Sequence, residues 1–554
     1  MTHATIIATF QPTVSFQSHL SSRRKNMLTR SLQYTTLALS LALTAGAGAT
    51  TPISPGHTPP VQEWAKQLGS PKINDSIEGN MIYVSDIDDY STGFSSDSQG
   101  NLYAASTKIL RQFRKTVSGL VTLVPAPYTS PIETTIAKYD TQGNVLWSKT
   151  KTLSNNTRTT LSTDPQGNTY ALESTSFRNL PFYYSNSSGG PFIKEPITPT
   201  ITKYDTQGNI LWTRQAPVVH TLGQRTTVTT DNLGNLYFTA IVFNVAPQST
   251  TPNPISVNAS APTLKMLAAN LPLIICNKFI TKYDADGTIA WIKKFGTQQT
   301  GFINASQTAN NSISTDNLGN LYIAGFTQGG VTDINQGQAG SFLAKYDANG
   351  NILWSKKLNR NNNDNIQYVQ RYVTHRPNGL DTDAQGNIYL TETVSRTPEG
   401  TPIFYTDTFY TDTFFSKYST QGDLLWTKAL DPNTHQNSNT ITVDKNGNAY
   451  LAGYTDAPGM GRNPFIAKYD TDGQLLWTKE LDTSQVDDYA NGIAIDDLGN
   501  IYLAGETRGS TAGPHEDGLD IFIIKFKDLQ AIPEPTSLLL LSLPLLALNR
   551  RKKQ

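Results

Sequence analysis

The sequence predicts an all-β protein, a seven-bladed β-propeller of four-stranded antiparallel blades, and three regularities predict it. All seven tryptophans (Trp64, Trp147, Trp212, Trp291, Trp354, Trp426 and Trp477) hold one position of a repeating unit, and six of them follow a tyrosine by eight residues, as Trp147 follows Tyr139. A second unit, Asp-x-x-Gly-Asn-x-Tyr, recurs in seven copies between them. Its Gly-Asn pairs are Gly100-Asn101, Gly167-Asn168, Gly234-Asn235, Gly319-Asn320, Gly386-Asn387, Gly447-Asn448 and Gly499-Asn500. Finally, the two ends of the repeat region each carry half a unit. Recurrence at a fixed unit means an array of identical supersecondary elements.

Each unit reads as a hairpin. In Ile493-Ala-Ile495-Asp496-Asp-Leu-Gly499-Asn500-Ile501-Tyr502-Leu503, two short apolar runs flank a turn. The Asp side chain bonds its own backbone two residues on, and the Gly adopts positive φ. Phe465 to Tyr469, a turn at Asp470 to Gly473, and Gln474 to Lys479 repeat the design. Two hairpins in tandem make a four-stranded meander. No stretch of the repeat region holds a helical apolar period over about ten residues. One such sheet cannot bury both faces, whereas seven packed around an axis can. The unit spans about 65 residues, longer than the roughly 40–50 of compact propeller repeats, with the excess in loops.

Trp64 lies in Val61-Gln-Glu-Trp64-Ala-Lys66, a final strand with no Lys-Tyr-Asp strand before it. Asp520 to Phe526 is a third strand with no Trp strand after it. The ring is therefore expected to close by pairing the N-terminal strand with the C-terminal blade. The domain plan is a leader and signal peptide over 1–49, a linker over 50–60, the propeller over 61–529 and a sorting segment over 530–554.

The repeat resembles the bacterial SBBP-type β-propeller repeat, over about residues 61–529. That resemblance implies a scaffold and names no activity. The C-terminus resembles a PEP-CTERM sorting signal. Pro533-Glu534-Pro535 precedes an apolar run from Ser537 to Leu548, followed by Arg550, Arg551, Lys552 and Lys553. It implies recognition by an exosortase-type protease and sorting to the surface of a Gram-negative-type cell. The run is shorter than the roughly 20 residues of an ordinary span, and the basic cluster suits a cytoplasmic stop. A permanent short anchor or a disordered tail is the plainer alternative.

With 44 basic and 44 acidic side chains in 554 residues, the chain has no surplus of positive charge to neutralise phosphates, so no nucleic-acid partner is expected. Arg23, Arg24, Lys25 and Arg30 precede an apolar core at Leu37 to Leu43 and small-residue sites at Ala45-Gly-Ala47 and Ala47-Gly-Ala49. This is an export signal for signal peptidase, and Met27 is a better-placed start than Met1. The lone cysteine, Cys276, excludes an intramolecular disulfide. It reads as a buried structural residue, a reactive thiol being the alternative.

Candidate chemistry is sparse. Asp284-Ala-Asp286-Gly287 and Asp470-Thr-Asp472-Gly473 begin like calcium loops. A calcium loop needs a bidentate Glu at its twelfth position, where Phe295 and Leu481 stand, so both read as hairpin turns. Asp88-Asp89-Tyr90 and Asp487-Asp488-Tyr489 match each other in the loops leading into the innermost strands. Asp88, Asp89, Asp487 and Asp488 could hold a cation, calcium being the candidate, or sugar hydroxyls; solvated loop acids are the blander reading. No other cofactor is expected. Histidines lack metal-ligand spacing, and no nucleophile elbow or phosphate-binding loop occurs. The Tyr-Asp…Trp unit also resembles the tryptophan-docking repeat of quinoprotein dehydrogenases, which implies that each Trp packs on the next blade. Their cofactor does not carry over, since those rings have eight blades and often a vicinal Cys pair.

Insertions at about 108–134, 175–198 and 241–278 break the repeat, and Phe404-Tyr-Thr-Asp-Thr408 is duplicated at Phe409 to Thr413 in another loop. The expected role is a non-catalytic surface or matrix protein that binds a polysaccharide or envelope protein through loops on one rim. An extracellular hydrolase or lyase, and a quinoprotein-like oxidoreductase, are the rivals.

Overall fold

Seven antiparallel sheets make up the computed structural model, six with a strand order that follows the chain and one that joins the first strand of the ring to the last three. It describes residues 58–68, 73–78, 81–116, 121–124, 131–154, 157–175, 199–217, 227–245, 274–300, 312–327, 340–358, 373–396, 410–430, 436–456, 461–481, 486–509 and 519–528. The leader, the linker up to Thr58 and the sorting segment with Pro533, Glu534 and Pro535 lie outside these residues. No helix occurs among the described residues.

Strands are named A to D from the axis outward. Blade 1 consists of Met81–Ser96, Leu102–Thr116, Pro131–Tyr139 and Val145–Ser154, with Ile73–Glu78 paired to A and Val121–Val124 to B. Blades 2 to 6 begin with strands A at Thr157–Thr163, Val228–Thr230, Ser312–Thr315, Val373–Thr382 and Gln436–Val443. Blade 7 takes A, B and C from Tyr489–Ile495, Asn500–Thr507 and Asp520–Lys527, and D from Val61–Leu68. Val61 pairs with Lys527 and Leu68 with Ile521, antiparallel, so a strand from each end of the ring shares the last sheet.

Hydrophobic burial lies between blades rather than within them. Seven buried clusters each join two neighbouring blades, such as Tyr170, Leu172 and Trp212 of blade 2 with Leu236, Phe238 and Tyr283 of blade 3. A sheet with two apolar faces thus finds a partner on both sides, which a lone blade cannot supply.

The Asp-x-x-Gly-Asn-x-Tyr unit explains its own recurrence. Asp97 Oδ1 accepts the N–H groups of Gln99 and Asn101 at 3.0 and 2.8 Å, and Oδ2 accepts Asn101 Nδ2 at 2.8 Å. The hydroxyl of Tyr103 then sits 3.1 Å from Asp97 Oδ2 and 3.0 Å from the Gly167 carbonyl of blade 2. Burial, then the charge of Asp97, raises the Tyr103 pKa and keeps its proton in place for this shared contact. Tyr170, Tyr237, Tyr322, Tyr389 and Tyr502 reach Gly234, Gly319, Gly386, Gly447 and Gly100 in the same way.

The tryptophans form the outer latch. Trp147 Nε1 donates to the Thr206 carbonyl of blade 2 at 3.1 Å. Trp64, Trp212, Trp291, Trp354 and Trp426 make the equivalent bond. Each indole lies on the glycine of the next C–D turn. Gly208, at φ 81°, would bring a Cβ to 2.8 Å from Trp147. Positive φ and the indole together therefore require glycine there.

The junction of blades 6 and 7 departs from this pattern, because blade 7 has no C–D turn. Among the described residues Trp477 Nε1 has no acceptor there. Asp528 takes over, with Oδ2 2.6 Å from Lys468 Nζ and 3.0 Å from the Tyr450 hydroxyl.

Three expectations are corrected. Asp88 and Asp89 lie inside strand A of blade 1, paired with Ile109 and Lys108, rather than in a loop leading into it; their side chains lie outside the described residues. The insertions at 108–134 and 241–278 begin and end as strand, since the apolar residues Ile109, Leu110, Ile241, Val242, Ile274 and Ile275 continue the ladders. Cys276 pairs with Phe243 in one such extension. The second copy of the duplication enters strand C of blade 5, where Tyr410 pairs with Arg396, and the first copy lies outside the described residues.

Candidate functional site

The two ends of the ring differ in what they carry. Strand A runs toward the rim of the A–B turns, and strand C toward the C–D turns on that same rim. This turn rim holds every tyrosine and tryptophan latch described above. The B–C and D–A connections, which include every insertion, join strand ends at the opposite rim, the loop rim. Short turns closed by local hydrogen bonds leave little freedom at one end, whereas loops carried by a rigid scaffold are where binding residues concentrate.

On the loop rim, blades 6 and 7 bring together a cluster that the sequence pattern did not single out. Arg462, at the start of strand C of blade 6, places its guanidinium 5.3 Å from the ring of Tyr454 and 5.5 Å from that of Tyr489. The two rings meet edge to face at 5.1 Å. Arg462 Nη1 donates to the Tyr489 hydroxyl at 2.6 Å, and Asp456 and Asp487 stand 3.5 and 3.9 Å from its nitrogens. Burial opposes the Arg462 charge, but the Tyr489 hydroxyl and Asp456 outweigh it and hold the group above its ordinary range. Burial likewise raises Tyr454. The Arg462, Asp456 and Asp487 side chains keep 36, 48 and 49% of their area in solvent, so the cluster can meet a ligand without unfolding. Beside it, Glu480 Oε1 accepts from Thr455 Oγ1 at 2.6 Å and Asn463 Nδ2 at 3.0 Å.

Asp487 and Asp488 have protein partners in this arrangement. Asp487 Oδ1 accepts the Arg462 N–H at 3.2 Å. Asp488 is buried, its N–H donates to the Arg462 carbonyl, and its Oδ1 accepts the Arg508 N–H at 2.8 Å. Among the described residues no group of three His, Cys, Asp or Glu side chains is placed to hold a metal ion.

The signal for this cluster was present in the repeat alignment. Seven positions before the strand-C tyrosine, or Phe526 in blade 7, the blades carry Ile132, Ile197, Cys276, Ala339, Thr411, Arg462 and Leu519; Arg462 is the one charge. Strand A gives a second departure. Two positions before the turn aspartate stand Ser95, Ser162, Thr229, Ser314, Asp381, Thr442 and Ala494. The Asp381 carboxylate accepts from Ser314 Oγ at 3.0 Å, the Thr382 N–H at 2.9 Å and the Val443 N–H at 2.9 Å, and so ties three blades together near the axis. Burial raises its pKa despite these bonds. An axial cavity of about 170 Å³ opens nearby, lined by Thr160, Thr227, Ser312, Gly379 and Thr440 of five successive blades.

Fold and repeat together define a seven-bladed β-propeller built from latch-forming hairpins. Residues 431–459 and 476–510 match the family model of the SBBP beta-propeller repeat. An uncharacterized WD repeat-containing protein of Acanthamoeba polyphaga mimivirus is 26% identical over 441 residues, 67% of this chain and 31% of that protein; the chain thus spans about a third of this relative's length. Among solved structures, virginiamycin B lyase from Staphylococcus aureus is 10% identical, with a TM-score of 0.35 over 79% of this chain and 99% of that one. The β-propeller domain of the trilobed protease from Pyrococcus furiosus, described as having an open velcro topology, is 9% identical, with a TM-score of 0.35 over 79% of this chain and 97% of that one.

Proposed function

We propose that the chain is an exported β-propeller of the cell envelope or extracellular matrix. It binds a polysaccharide or an envelope protein through its loop rim and does no chemistry on it. In this reading signal peptidase removes the leader, and an exosortase-type protease recognises the tail beginning at Pro533-Glu534-Pro535. The supporting observation is the half-exposed set of Tyr454, Arg462 and Tyr489, flanked by Asp456 and Asp487. An arginine held over two tyrosine rings with carboxylates beside it offers donors, acceptors and aromatic edges together, which suits the hydroxyls of a sugar or the side chains of a protein partner. A calcium ion near Asp88, Asp89, Asp487 and Asp488 is part of the same proposal.

The test is a thermal-shift screen of residues 50–532 against polysaccharides, with calcium present and with chelator. A polysaccharide that raises Tm for the native chain and not for Tyr489→Ala or Arg462→Ala supports the reading. Turnover of the polysaccharide, read by release of new ends, would replace it with a hydrolase or lyase. A calcium shift that survives Asp88→Ala and Asp487→Ala would remove the cation from these residues.

A further inference from the structure

Apart from Leu68 and Ile292, every large apolar side chain strongly exposed among the described residues lies at the turn rim. Leu233, Leu318 and Leu498 occupy the tips of A–B turns in blades 3, 4 and 7 and are 79, 81 and 69% exposed. Leu233 and Leu318 sit on adjacent turns, which Asn232 and Asn317 join side chain to side chain at 2.9 Å. The pairs Val145-Leu146, Ile210-Leu211, Ile352-Leu353 and Leu424-Leu425 follow the C–D turns on the outer strands and are also exposed. Nothing in the turn chemistry asks for leucine at a tip, because the same position holds Gln99, Gln166, Gln385 and Asn446 in the other blades. Leu498 stands apart on blade 7, so the joined part of the surface is Leu233 with Leu318. Exposed apolar residues gathered on one rim rather than spread over both mark a contact surface.

The chain also leaves the ring at this rim. Lys527 pairs with Asn500, directly after the A–B turn of blade 7, and Asp528 follows. Eight residues, Leu529 to Thr536, separate Asp528 from the apolar run that starts at Ser537. Fully extended, such a tether reaches no more than about 30 Å.

We infer that the turn rim is the face the propeller turns toward a lipid bilayer, with Leu233, Leu318 and Leu498 in contact with it while the tail run of Ser537 to Leu548 is inserted. This rests on the membrane-sorted reading of the tail given above. A tether of no more than about 30 Å keeps the rim it leaves from next to the surface, and that rim is the one carrying the exposed leucines. The C–D turn carboxylates Asp205 and Asp347 share the rim, each with its turn N–H groups and an asparagine amide. The contact is therefore apolar rather than an attraction to anionic headgroups. It leaves the loop rim, with Arg462 and Tyr489, facing away from the membrane and open to a large partner.

The experiment uses the full chain, tail included, in a Cys276→Ser background, with one cysteine introduced at Leu233, Leu318 or Leu68 and labelled with an environment-sensitive fluorophore. Leu68 is the matched control, an exposed leucine on the loop rim. On phosphatidylcholine vesicles, the labels at 233 and 318 should shift to the blue and become several-fold less accessible to aqueous iodide, while the label at 68 changes little. If the chain binds vesicles and all three labels stay equally accessible, the orientation is overturned and the tail anchor stands. If the chain does not bind vesicles, the membrane-sorted reading fails, and this inference with it.

Discussion

Asp528 stands where the repeat runs out, and one carboxylate does there what a whole turn does elsewhere. Its partner lysine and the carboxylate itself are 5 and 0% exposed, so neither has water to fall back on. Removing one partner of a buried pair leaves the other charge unpaired, at a cost of about 3–5 kcal/mol, whereas replacing both with apolar groups is often neutral. Asp528→Ala is therefore expected to lower stability by about that amount, and Lys468→Met with Asp528→Leu to recover most of it; urea unfolding of the three proteins checks this, and equal losses would refute it. Asp381 acts the other way. Its native carboxyl titrates above the ordinary 3.8, because burial resists its charge. Between 3.8 and that raised value the folded chain holds a proton that the unfolded chain has released. Its contribution is therefore complete below 3.8 and is lost as pH rises through the window. Asp381→Asn can keep the Ser314 and Thr382 contacts through its oxygen, at the loss of the Val443 N–H contact, which its amide nitrogen cannot accept. It should raise Tm relative to the native chain as pH climbs above 4, and parallel Tm curves from pH 3 to 7 would count against this assignment.

At the scale of the element, what could be read from the sequence was what local chemistry determines. Asp97 makes three bonds within its own turn, so Asp-x-x-Gly-Asn spells out a hairpin before any tertiary contact forms. The tyrosine and tryptophan after each turn have a fixed distance to the neighbouring blade because the turn fixes the strand register, and they recur for that reason. The half units at Trp64 and Asp520 were legible by counting, since a ring with unpaired edge strands is a liability. Strand ends were not legible: Asp88 and Asp89 read as loop because Ser91-Thr92-Gly93 separates them from the strand at Phe94, yet strands A and B of blade 1 continue past them with fifteen residues paired. The Arg462 cluster was hidden for a different reason. Tyr454, Arg462 and Tyr489 come from strands B and C of one blade and A of the next, and only the packing of two blades brings them together.

The whole molecule depends on a strand that the chain makes first and uses last. Val61–Leu68 is the outer strand of a sheet whose other members end at Lys527, so the final blade cannot form until nearly the entire propeller has been synthesised. The joint is non-covalent: seven residue pairs, the Trp64 bond to the Thr141 carbonyl, and Lys525 against Glu63 at 2.7 Å. Without this strand, Asp520–Lys527 would become an open edge, with Trp64 gone from the interface between blades 7 and 1, where it packs beside Tyr139 and Tyr502. Trp64 is half-buried, so its loss forfeits part of the ~3–5 kcal/mol that a fully buried tryptophan is worth, still a sizeable share of the roughly 5–15 kcal/mol that holds a typical domain folded. A chain beginning at Gly69 is thus expected to melt at lower temperature and over a broader range, and to associate through the exposed edge as concentration rises. A synthetic peptide of residues 58–68 added in trans should restore both the melting temperature and the monomer by filling the vacant position, while a peptide with Trp64 replaced by alanine should restore less. Calorimetry and sedimentation on the shortened chain decide the matter: if it melts as the full chain does and stays monomeric, the strand is an ornament and the ring is held by its other six junctions.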